Sequence, residues 1–109
     1  MSPERSYRRR VERKFKRIFV RYGRTAAEHK AIAQHISAGG LFLSTNEVVY
    51  ANNTPVVVEI TGLAQTWIVA GVVRHAIKVP PSLARFTKPG MGVELTDIPD
   101  ALRDYLASL

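Results

Sequence analysis

The chain has 109 residues, no cysteine and a formal net charge of +7, which is enough for one buried core and sets aside multidomain, disulfide-framed and Cys-based zinc proteins. The longest apolar run, Trp67 to Val73, falls far short of the roughly 18 residues a membrane helix needs. The charged start has no apolar stretch behind it to act as a leader, so the cytoplasm is the expected compartment and no membrane insertion is expected.

Charge is distributed unevenly. Residues 1–24 carry ten Lys/Arg against two acids, a net +8, whereas residues 25–109 carry six basic and seven acidic residues, a net −1. A basic arm on a near-neutral body points to an anionic partner, whether nucleic acid, a phosphorylated small molecule or a membrane surface. A solvated tail with no partner would carry the same charge.

In chain order, residues 1–12 are polar and charged, with Pro3 and few large apolar groups, and read as a flexible basic N-terminal arm without a core. Residues 13–109 then form the globular body. Ile18, Val20 and Tyr22 alternate with Arg17, Phe19 and Arg21, the period-2 pattern of a half-buried strand, which ends at Gly23. Residues 24–30 hold Ala26, Ala27 and Glu28 and are compatible with a helical turn.

Short β-like runs follow at Ala31–Ile36, Leu41–Leu43, Val56–Ile60, Trp67–Val73 and Val93–Leu95, punctuated by Gly39-Gly40, Asn52-Asn53, Thr61-Gly62, Pro80-Pro81 and Pro89-Gly90. Closely spaced short strands predict a small sandwich or barrel. The end of the chain changes period: Leu102, Tyr105, Leu106 and Leu109 stand at i, i+3, i+4 and i+7, after Thr96 and Asp97 as N-cap candidates and Pro99 in the first turn. This amphipathic closing helix has an apolar face that must pack on the body or on a second copy of the chain, which leaves monomer and homodimer both open.

Two features carry chemistry. The arm offers guanidinium groups, with Arg9 and Arg13 four residues apart; these bind phosphate bidentately, stack on bases and donate paired hydrogen bonds to guanine O6 and N7. The stretch from His35 through Ser37, Gly39 and Gly40 to Leu43 supplies a hydroxyl, backbone N–H groups and room for close approach. Together they describe a guanine and phosphate site. His29, His35 and His75 stand at unrelated spacings, so a metal centre is disfavoured, and Ser37 lacks the flanking glycines of a nucleophile elbow. Trp67 reads as a core aromatic. Arg74 and Lys78 alternate with apolar neighbours and face solvent, with Arg74 placed to join a site from an adjacent strand.

Arg-x-x-x-Arg (Arg9 to Arg13), followed by a stretch of the form x-Ser-x-x-Gly ending in Gly40, resembles the PilZ domain. Phe15–Tyr22 resembles that family's first strand, Ser37–Leu43 its second motif, Val69–Arg74 its Gly-x-Val strand, and Gly90–Leu95 its closing strand. The resemblance spans roughly residues 5–109. It implies a mainly β fold, a six-stranded antiparallel barrel with a C-terminal α-helix. It also implies no catalytic activity, no cofactor, and cyclic di-GMP as the ligand. By position Arg9 and Arg13 would contact guanine and phosphate with Arg8 or Arg10 assisting, while Ser37 and Gly40 match the second motif and Gly39 is an added glycine. Arg13 and Arg17 form the same spacing, but Arg17 already belongs to the strand alternation, so the earlier register is preferred.

His35 departs from the pattern, standing where the family has Asp or Asn. A neutral imidazole offers one acceptor nitrogen and a protonated one none. A buried donor left unpaired costs about 1–3 kcal/mol, one to two decades of affinity. The expected function is therefore an effector that transmits the level of cyclic di-GMP to a motility, adhesion or biofilm partner. The alternative is a degenerate PilZ module that acts as a protein-interaction scaffold. Nucleic acid fits less well, because the aromatics are few and are not interleaved along a basic groove.

Overall fold

The computed structural model describes residues 17–34, 36, 37, 39–62, 64–83 and 86–109. Six strands among them, β1 (Ile18–Gly23), β2 (His29–Gln34), β3 (Gly40–Ser44), β4 (Pro55–Thr61), β5 (Thr66–Ile77) and β6 (Gly90–Leu95), form a closed antiparallel barrel in the order β1-β2-β3-β6-β5-β4. One helix, α1 (Asp100–Ser108), follows β6. Closure removes the free edges that would otherwise recruit other strands.

Alternation decides which side chains enter the barrel. On β1, Val20 and Tyr22 are buried while Phe19 and Arg21 face out, as does Arg17 just before it, in the period-2 pattern. The interior is filled by Tyr22, Ala33, Leu43, Val58, Ile60, Val73 and Met91, all fully buried. Leu102 and Leu106 of α1 join the same core, so the helix packs on its own barrel rather than on a second copy. Trp67 is partly buried against that core and lies 5.3 Å from Tyr105, ring centre to ring centre, in keeping with a packing role.

Several boundaries differ from the sequence expectation. Residues 24–26 form bends and β2 starts at His29, so no helical turn forms over 24–30; pairing of Tyr22 with His29 and Arg21 with Lys30 extends β2 backward and overrides local helix propensity. Ile36 lies beyond the end of β2 yet is fully buried. β5 runs on to Ile77, past the expected Val73, because β6 gives it partners as far as Gly90. At α1 the N-cap is Pro99 without a side-chain cap, so neither Thr96 nor Asp97 serves and Pro99 stands just outside the first turn. The turn at Asn52-Asn53 is as expected, with Asn53 in the left-handed region at φ 72°, a conformation asparagine tolerates better than most residues.

Candidate functional site

Of the expected ligand-binding residues, Ser37, Gly39 and Gly40 are described. Arg8, Arg9, Arg10, Arg13 and His35 lie outside the described residues. Ser37 and Gly39 lie between Ile36 and β3, and Gly40 is the first residue of that strand. The Ser37 N–H donates to the Gly40 carbonyl at 3.0 Å, and the Leu95 N–H donates to the Gly39 carbonyl at 3.0 Å, tying Gly39 to the end of β6. Among the described residues the exposed Ser37 hydroxyl has only a long contact to the Gly40 carbonyl, 3.4 Å, which leaves its donor and acceptor capacity weakly used there.

The two glycines are not equivalent. A Cβ on Gly40 would stand 2.7 Å from the Val93 carbonyl oxygen, whereas one on Gly39 would meet nothing within 4 Å among the described residues. Gly40 is therefore required by the β3–β6 packing, and Gly39 leaves open space.

These residues line a shallow depression of about 460 Å³ on the outer wall of β3, β6 and β5, together with Leu41, Phe42, Arg74, Gly92, Val93 and Glu94. Arg74 thus does reach the site from an adjacent strand. Strand alternation after the buried Val73 turns it outward, and a β-bulge falls at the same place: the β5–β6 register runs Val73↔Val93 and then His75↔Gly92, leaving Arg74 as the extra residue. Its Nε donates to Glu94 Oε1 at 2.7 Å and its Nη1 to Asn53 Oδ1 at 3.4 Å. Both members of the ion pair are about half exposed. The sequence does not single out Glu94; one exposed carboxylate on a strand gives no local signal, and only its pairing with Gly40 across β3–β6 brings it to the site.

Arg74 and Glu94 cancel in charge, so the depression as described has no surplus of positive charge for an anion. Among the described residues no group of three His, Asp or Glu side chains could hold a metal ion, and no helix is long and apolar enough to cross a membrane. A second depression, about 330 Å³, lies across the barrel between Phe19, Arg21, Lys30, Glu59 and Thr61; it contains none of the motif residues.

The PilZ domain family model matches residues 6–109. Among solved structures the chain is similar to the Bacillus subtilis inhibitor of motility, MotI/DgrA, with 20% identity and a TM-score of 0.66 over 88% of this chain and 48% of that one. The chain spans about half the length of that neighbour, and the likeness shows the shared barrel fold. Curated proteins yield no match.

Proposed function

This chain belongs to the PilZ domain family, and we propose that it is a non-catalytic cyclic di-GMP receptor of the cytoplasm that passes the second-messenger level to a motility, adhesion or biofilm protein. One observation carries the reading. Ser37, Gly39 and Gly40, the residues matching the family's second motif, line one open depression in which the charges already present cancel. A dianionic dinucleotide held there needs cations from elsewhere, and the +8 of residues 1–24 supplies them through Arg9 and Arg13, with Arg8 assisting. Binding that draws the arm against the barrel changes the exposed surface, which is how a non-catalytic domain signals. Similarity in fold to an inhibitor of motility supports motility as the output.

His35 favours a second reading, a PilZ module without the nucleotide that serves as an interaction scaffold, because it replaces the acceptor expected at that place. Isothermal titration with cyclic di-GMP, with GTP and a short single-stranded DNA as controls, separates the two. The receptor reading expects selective binding, a loss of at least about tenfold in affinity for each of Arg9→Ala and Arg13→Ala with the fold intact, and tighter binding by His35→Asp. Absence of heat with the dinucleotide selects the scaffold reading. Equal binding after removal of both arginines refutes the assignment of the arm.

A further inference from the structure

The depression contains a carboxylate that the proposed ligand would have to tolerate. Glu94 pairs with Gly40 across the β3–β6 ladder, lines the same surface as Ser37 and Gly39, and is about half exposed. Among the described residues only Arg74 hydrogen-bonds to it, through Oε1. A bare carboxylate beside a phosphate-bearing ligand is repulsive, and it becomes favourable only where it faces hydrogen-bond donors. The Watson–Crick edge of guanine offers such donors in N1–H and the 2-amino group, spaced for the two oxygens of a carboxylate.

Arg74 makes that carboxylate compatible with an anion. Arg74, at the bulge between Val73 and His75, donates through Nε to Glu94 on β6 and through Nη1 to Asn53 Oδ1. A cation thereby stands against Glu94 within the lining of the depression.

We infer that Glu94 reads the guanine base, accepting from N1–H and the 2-amino group, while Arg74 offsets its charge. Glu94 thereby supplies the acceptor that His35 does not provide as a carboxylate or amide would. This rests on the reading of the depression as a cyclic di-GMP site.

The test titrates the full chain with cyclic di-GMP and with its inosine counterpart, which lacks the 2-amino group, for wild type, Glu94→Ala and Arg74→Gln, with thermal unfolding to confirm that each variant is folded. Wild type is expected to prefer guanine by at least about tenfold, the scale of a charge-assisted hydrogen bond. Glu94→Ala abolishes that preference by weakening cyclic di-GMP more than the inosine counterpart, which keeps N1–H and so loses one contact rather than two, whereas Arg74→Gln weakens both ligands together and keeps it. A wild type that binds neither ligand overturns the receptor reading and this inference with it. If wild type binds with the preference and Glu94→Ala retains it, the inference alone is overturned. Loss of the preference in Arg74→Gln as well would also overturn it, because the ion pair rather than the carboxylate would then be responsible.

Discussion

The two ends of β3 carry similar residue types put to different uses. Beyond its C-terminal end, the Tyr22 hydroxyl donates to the Val48 carbonyl and lies 3.2 Å from Thr45 Oγ1. Thr45 Oγ1 in turn donates to the Lys30 carbonyl at 2.8 Å and accepts from the Glu47 N–H at 2.9 Å. Glu47 accepts from the Lys30 N–H and pairs with His29 at 3.1 Å. Tyr22, His29 and Tyr50 pack their rings with centres 5.4 to 6.3 Å apart. At the N-terminal end, Ser37, Gly39 and Glu94 keep much of their surface and hydrogen-bonding capacity open to solvent. Polar groups that satisfy one another hold the barrel shut; polar groups left open in a concavity are available for recognition.

This contrast is sharpened most by Tyr22. Truncating Tyr22→Ala is expected to cost about 3–5 kcal/mol in denaturant unfolding, because a fully buried ring and its hydroxyl are lost together. A cost below that of an ordinary surface change would mean that the closed end is not what stabilises the barrel. Burial also pushes the Tyr22 phenol above its usual 10.0. The folded state therefore favours the protonated phenol, and the stability this provides is complete below pH 10 and is lost as pH rises through the raised value.

Smaller effects are expected from the glycine pair. Gly40→Ala should destabilise by about 1–3 kcal/mol, since the added methyl meets the Val93 carbonyl. Gly39→Ala should stay within about 0.5 kcal/mol of wild type while weakening cyclic di-GMP binding. Equal destabilisation by both would erase the distinction between a packing glycine and a site glycine.

The smallest effect concerns Glu47. The Lys30 N–H first, and His29 second, hold its carboxyl below the usual 4.5. A depressed carboxyl contributes stability that is present above the unfolded value and is lost as pH falls through the folded one. Glu47 is exposed, so Glu47→Gln should only slightly flatten the acid limb of the stability profile. An unchanged limb would show that this pair contributes nothing at the closed end.

Several parts of this arrangement are legible locally. The alternation from Arg17 to Tyr22 identifies the inward face of β1, and Leu102 and Leu106 identify the buried face of α1, because a strand repeats every two residues and a helix every 3.6. The order of motif residues points to Ser37, Gly39 and Gly40. Strand ends are less legible: β2 and β5 outrun their own propensities because partner strands continue beside them. The alternation puts Arg74 beside the site but gives no sign of its bulge, and Glu94 carries no signal of its own.

Local pattern is enough for the presence of the strands, their inward faces, the closing helix and the segregation of positive charge into the first quarter of the chain, since each depends on neighbours only a few residues away. Closing the ring is what sets β3 between β2 and β6, pairs Gly40 with Glu94 and brings Arg74 against Glu94. Those pairings join residues dozens of positions apart. Their register is set by closing the whole ring around one core, which no local periodicity encodes.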